Sequence, residues 1–138
     1  MKSSDQNEAQ YLSKLKGERY RVLRQKGTEE PFSGTLLANR RDGNYHCAAC
    51  GNSVFSSDTK FDSGCGWPSF YFPKNPQAIL LKEDLSLGMH RVEVTCAKCG
   101  SHLGHVFNDA PDQPSGMRFC INSVALDFET KAKKKVRS

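Results

Sequence analysis

The sequence predicts a single, mainly β domain, braced by a metal and carrying one short helix near its N-terminus. Three observations point there. Eight short apolar or alternating runs follow one another, each bounded by Gly, Asn, Asp or Pro. Two Cys-x-x-Cys-Gly units, Cys47-Ala48-Ala49-Cys50-Gly51 and Cys96-Ala97-Lys98-Cys99-Gly100, present four sulfurs in two pairs. And 138 residues with 37% hydrophobic content suffice for one core but not for two ordinary domains.

In chain order, residues 1–8 are polar and read as a tail, residues 9–129 as the domain, and residues 130–138 as a basic tail. From Lys16 to Lys26 the few apolar residues, Tyr20, Val22 and Leu23, suit a short surface helix, with Gly27 standing where a C-cap is favoured. Residues 28–34 read as an extended linker ending in a turn. Strands are then expected at 35–38, 43–47, 53–55, 78–81, 90–95, 105–107, 117–121 and 123–128. Residues 90–95 and 123–128 alternate polar and apolar, as half-buried antiparallel strands do. Tyr45-His46-Cys47-Ala48-Ala49-Cys50-Gly51 and Val94-Thr95-Cys96-Ala97-Lys98-Cys99-Gly100 form a weak internal repeat, each copy a strand entering a turn. One metal shared between them would join the ends of two hairpins.

Charge excludes one broad class of function. The net charge is +5, but residues 1–30 hold seven Lys/Arg and five Asp/Glu, and residues 131–138 hold five Lys/Arg and no acid. That leaves 31–130 slightly acidic, with eight bases against ten acids, so the body of the chain offers no surface for nucleic acid. No apolar run approaches the ~20 residues of a membrane span, and the N-terminus lacks an apolar signal core. A soluble, cytoplasmic, monomeric protein is the expectation. In such a protein paired Cys-x-x-Cys spacing reads as metal, and the two remaining cysteines stay free for redox work.

Four thiolates are what a closed tetrahedral zinc site needs, and a closed site is structural. Cys47, Cys50, Cys96 and Cys99 are therefore expected to hold one structural zinc per chain, with Gly51 and Gly100 taking positive φ where the chain turns behind the second ligand. The chemistry then falls to the other two cysteines. An isolated Cys is usually a small buried hydrophobe. Cys120, however, has Arg118 two residues before it, Asn122 two residues after it on the same strand face, and His102 and His105 nearby. A cationic, hydrogen-bonding surround is what turns a thiol into a nucleophile. Cys65 lies between two glycines, which suits a thiol that travels to meet another sulfur. Gly104, by bending the chain, would let one or both histidines face the Cys120 strand. Trp67, beside the Gly-Cys-Gly turn, is expected at the rim of a pocket.

Ser-Gly-Cys-Gly-Trp-Pro-Ser-Phe at 63–70, His-Leu-Gly-His-Val-Phe at 102–107 and Arg-Phe-Cys-Ile-Asn-Ser at 118–123 resemble, together with the zinc pairs, a methionine-R-sulfoxide reductase of the B type. Gly27-Thr28-Glu29-Glu30-Pro31-Phe32 extends the resemblance to about residues 18–128. It implies two small antiparallel sheets forming an open barrel, with the zinc away from the active site. It also implies reduction of the R epimer of methionine sulfoxide in oxidised proteins. Cys120 matches the nucleophile and Cys65 the resolving cysteine, joined after turnover in a disulfide that thioredoxin reduces. Trp67 matches the wall against the substrate S-methyl group, and His105 and Asn122 the groups on the sulfoxide oxygen. His102, Arg118 and Phe119 lie close by as substrate-binding residues. Position 119 is Phe where the family often has Tyr, and residues 77–89 contain no His, which shifts the weight of proton delivery onto His105.

A different class of function competes with this. A zinc-held β module gripping a small ligand or peptide in an aromatic pocket would explain the four zinc cysteines and Trp67, but gives no reason for Cys65, His105 or Cys120.

Overall fold

A computed structural model of the chain describes residue 15, residues 17–85, residue 88 and residues 90–130. The expected tail at 1–8 lies outside these residues, as does that at 130–138 apart from Thr130, which ends the last strand. One helix and nine strands are described, and the strands form two antiparallel sheets that do not close into a barrel. Helix α1 spans Glu18–Gln25, β1 Gly43–Cys47, β2 Ser53–Ser56, β3 Lys60–Phe61, β4 Ser69–Phe70, β5 Ile79–Asp84, β6 Arg91–Cys96, β7 His102–Phe107, β8 Arg118–Ile121 and β9 Leu126–Thr130. The smaller sheet runs β2-β1-β9 and the larger runs β3-β4-β8-β7-β6-β5.

The two sheets meet through aromatic side chains. From the smaller sheet come Tyr45, Phe55 and Phe128; from the larger come Phe70 and Phe119. Phe55 stacks on Phe70 with centroids 4.5 Å apart, Tyr45 meets Phe70 edge-on at 5.1 Å, and Phe55 lies 5.9 Å from Phe119. Rings in tilted and offset pairs add attraction beyond the area they bury. Asn39 Nδ2 donates to the Tyr45 hydroxyl at 2.9 Å, so the ring's one polar atom is satisfied inside the core.

Helix α1 buries Val22 and Leu23 and packs on β7 and on the 3-10 turn Ser123–Ala125. Its end departs from expectation. Lys26, not Gly27, takes the left-handed conformation, at φ 59°. The N–H of Gly27 donates to Arg21 O at 2.9 Å, and a Cβ at Gly27 would meet the Arg21 side chain. The nearest atom is Nη1, the end of a flexible and half-exposed side chain, so the position is crowded but not set by handedness.

Two strand expectations are corrected. Residues 35–38 form turns, because Leu37 N and Asn39 N donate back to Gly34 O and Leu36 O, leaving no free edge for a ladder. The run 123–128 is a 3-10 turn followed by β9, since the backbone N–H groups of Ser123 and Val124 are drawn to the Glu29 carboxylate. The two-residue strands β3 and β4 are too short to show as patterns.

Candidate active site and metal centre

Pairing across the larger sheet aligns five side chains on one face. Ser69 of β4 lies opposite Cys120 of β8, Cys120 opposite His105 of β7, His105 opposite Glu93 of β6, and Glu93 opposite Lys82 of β5. Directly paired residues share a face. In an unbroken strand His102 would point away from His105, because three residues reverse the alternation. A bulge restores it. Thr95 pairs with His102 while Glu93 pairs with His105, so β7 carries one extra residue, Leu103, over that step. The two rings sit 5.3 Å apart on the same face. Gly104 does not bend the chain by a positive φ. Its role is close approach, because a Cβ there would lie 2.0 Å from Cys120 O.

The two free sulfurs come together. Cys65 Sγ lies 2.9 Å from Cys120 Sγ, and the Ser69 hydroxyl lies 3.3 Å from the former and 3.9 Å from the latter. Arg118 Nη1 donates to Cys120 Sγ at 2.7 Å. Its guanidinium is held by both carboxylate oxygens of Asp109, at 2.9 Å each, and lies over the Phe107 ring at 4.6 Å. The Asp109 pairing holds the Arg118 proton more firmly than usual, while Arg118 lowers the Asp109 carboxyl. Two thiols this close cannot both ionise easily. The contact with Cys120 pulls Cys65 down to about 4, against the cost of its burial. Cys120 is pushed up, first by Cys65 and then by burial, with Arg118 and Ser69 opposing. The pair thus holds one thiolate, and the permanent cation lies on the Cys120 side. Cys65 sits on a turn between Gly64 and Gly66, whose φ angles are +78° and +96°.

Each histidine has a carboxylate. His102, 2% exposed, shares its Nδ1 with Glu93 Oε2 at 2.8 Å, and His105 Nε2 lies 2.7 Å from Asp84 Oδ2. Burial lowers the His102 pKa, with Glu93 opposing, so its ring stays neutral. Glu93 also takes Lys26 at 3.4 Å.

Asn122 follows β8 rather than extending it. Its Oδ1 accepts from Glu29 N at 3.0 Å, and its Nδ2 donates to Leu103 O at 3.0 Å, leaving one N–H uncommitted. Glu29 is one residue whose role sequence reasoning missed. It is 1% exposed, and its carboxylate accepts from Ser123 N and Val124 N at 2.9 and 3.0 Å. Its carbonyl accepts from Trp67 Nε1 at 3.0 Å. One buried acid therefore fixes both Asn122 and Trp67, although burial raises its pKa against those hydrogen bonds. Trp67, Phe32 and Gly66 line one groove of about 400 Å³; Cys65, Arg118 and Asp109 line another of about 400 Å³, and the stretch Phe61–Gly64 borders both. Phe119 joins neither, since it faces the core against Phe55. Asp84, Glu93 and Asp109 were also missed: in sequence they read as ordinary charges on strands and turns.

The four remaining sulfurs form a separate cluster at the strand ends. The two turns repeat each other bond for bond. Cys47 N donates to Asn52 O and Gly51 N to Cys47 O, while Cys96 N donates to Ser101 O and Gly100 N to Cys96 O, all at 2.7–2.9 Å. Gly51 and Gly100 take φ of +83° and +78°, as expected. Cys47 Sγ lies 3.7 Å from Cys99 Sγ, Cys50 Sγ lies 3.6 Å from Cys96 Sγ, and all four lie within 4.8 Å of one another. A tetrahedron with 2.3 Å metal–sulfur bonds has edges of about 3.8 Å. The donor set and spacing suit a metal ion, and this is the one such cluster among the described residues. Arg24 Nη1 donates to Cys99 O and Ser101 Oγ at 3.0 Å, tying α1 to the second turn.

Comparison with known proteins agrees with this arrangement. The profile of the SelR domain matches residues 15–130. The chain is 57% identical over 129 residues to a peptide methionine sulfoxide reductase MsrB of Methanosarcina barkeri, covering 94% of this chain and 90% of that one. Its identity to the protein of that name from Pseudomonas putida is 53%, covering 93% and 97%. For that of Leptospira interrogans it is 52%, covering 91% and 95%. Two cysteines meeting beside an arginine, a histidine face and a four-sulfur cluster thus fall within a match that spans nearly the whole described chain: it belongs to the SelR-domain family, among the MsrB peptide methionine sulfoxide reductases.

Proposed function

We propose that this chain reduces the R epimer of methionine sulfoxide, in oxidised proteins and in the free amino acid, by thiol chemistry at Cys120. The observation that carries the reading is the meeting of Cys65 and Cys120 at 2.9 Å, with Arg118 Nη1 donating to Cys120. While Cys65 is in contact, it is the principal cause holding Cys120 protonated. When substrate enters and the Gly64–Gly66 turn swings Cys65 away, Arg118 and Ser69 are left to favour the thiolate at Cys120.

The Cys120 thiolate attacks the sulfoxide sulfur while His105 gives a proton to the oxygen. The sulfur–sulfur bond so formed and the S–O bond then break as the protonated oxygen passes to Cys120, and methionine leaves with Cys120 as a sulfenic acid. Cys65 returns, its thiolate attacks the sulfenic sulfur, and water leaves as the Cys65–Cys120 disulfide forms. A low-potential dithiol such as thioredoxin then exchanges with the disulfide and restores both thiols. Dependence on such dithiols suits the cytoplasm, and every group the cycle uses lies in one chain, as a monomer requires. Trp67 holds the S-methyl group, and the free N–H of Asn122 assists His105 at the oxygen. Zinc held by Cys47, Cys50, Cys96 and Cys99 clamps two turns and takes no part in the redox steps.

A binding module without turnover would need no paired sulfurs, so the test counts thiols. Fully reduced protein treated with excess methionine sulfoxide in the absence of reductant should lose two thiols per chain. Cys120→Ser should lose none and form no methionine. Cys65→Ser should form about one methionine per chain and then stall. Unchanged thiols in the parent protein would exclude the enzyme.

A further inference from the structure

We propose that Asp84 is a positioning residue for the sulfoxide-reducing site, fixing by its carboxylate which ring nitrogen of His105 delivers the proton. The inference rests on the role given to His105 above. Strand β5 is an edge strand, and its burial is inverted with respect to hydrophobicity. Leu80 and Leu81 are each 51% exposed, whereas Asp84 at the strand end is 7% exposed. Carboxylates are rarely this buried unless partners hold them. Asp84 lies two residues beyond Lys82, so it shares the face that carries Glu93, His105 and Cys120. It reaches across β6 to His105 Nε2 at 2.7 Å and is itself held by Arg91 Nη2 at 3.4 Å.

A carboxylate only accepts, so Nε2 must carry the hydrogen of this bond. Nδ1 is then the nitrogen left to take up and release the second proton. Glu93 cannot substitute, because its two oxygens are engaged by His102 and Lys26. The nearby His102 ring is committed to Glu93 through Nδ1, the opposite choice of nitrogen, so the two histidines of one sheet face are oriented differently by two different acids.

Long-range nitrogen–proton NMR of the His105 ring in the reduced parent protein should show the neutral ring protonated at Nε2. A neutral ring protonated at Nδ1 would overturn the proposal without any variant. Asp84→Asn should slow single-turnover reduction of a methionine-sulfoxide peptide by about a hundredfold, the scale of a misplaced reacting group, with KM little changed. Asp84→Glu should recover part of the rate. A purely structural role would instead lower the melting temperature and leave the tautomer alone. Parent-like single-turnover rates in a folded Asp84→Asn would overturn the proposal. Parent-like rates in His105→Ala would overturn the acid role beneath it, while the tautomer signal would still report the Asp84–His105 bond.

Discussion

At the scale of single residues, the site depends on where one negative charge rests between two sulfurs. Cys65 is held at about 4 chiefly by Cys120, with hydrogen bonds from Ser63 and Ser69 contributing less. Removing that partner leaves burial, which raises a thiol's pKa, against weaker hydrogen bonds. Cys120→Ala should therefore shift the midpoint of Cys65 alkylation by iodoacetamide upward, from about 4 toward the ordinary 9.0. An unchanged midpoint would show that the neighbouring backbone and serines hold the thiolate by themselves. The cysteines were legible in the sequence because a thiol has few roles and its spacing separates them. Glu29 and Asp84 were not, because an acid in a sequence looks like any solvated surface charge. What makes Glu29 a structural hub is its reach to residues 93–95 positions away, which no local pattern encodes.

At the scale of elements, the site is a property of how β7 pairs with β6 on one side and with β8 on the other. The bulge at Leu103 turns two histidines to one face, and Gly104 lets Cys120 come close behind them. Alternation in β6 and the turn glycines were readable, and so was the existence of most strands. The bulge was not, because it is defined by a register between two strands. Phe119 shows the same limit: next to Cys120 in sequence, it points to the opposite side of the sheet and into the core. Gly104→Ala places a methyl 2.0 Å from Cys120 O and 2.9 Å from Ile121 Cα, both backbone atoms that no rotamer change can move. It should cost about 1–3 kcal/mol or more, as overpacking does, and lower activity by shifting Cys120. Urea unfolding and turnover measure both. A fully stable, fully active Gly104→Ala would show that β7 and β8 can separate without harm to the site.

At the scale of the whole molecule, two sheets are joined at two places: an aromatic core and a four-sulfur clamp between the β1–β2 and β6–β7 turns. Structural zinc contributes on the order of 10 kcal/mol of folding free energy, so the clamp is expected to matter more than any single core contact. Elemental analysis should find one zinc per chain. Cys50→Ser should lower the melting temperature, with turnover at low temperature retained in the fraction that stays folded. Well-folded protein without metal would remove zinc from the account. The grouping of the six cysteines into a four-sulfur cluster and a separate pair was legible in the sequence; the open two-sheet arrangement came from the resemblance. No described helix is long and apolar enough to cross a membrane. The central claim, that one face of the larger sheet reduces a chiral sulfoxide by direct thiol attack, has one most direct measurement. Racemic methionine sulfoxide is incubated with the protein and a thioredoxin system, and the remainder is resolved by chiral chromatography. Fixing the methyl group at Trp67 and the oxygen at His105 while Cys120 attacks from the third side selects one configuration, so the R epimer should disappear and the S epimer remain. Equal loss of both epimers, loss of S alone, or loss of neither would contradict it.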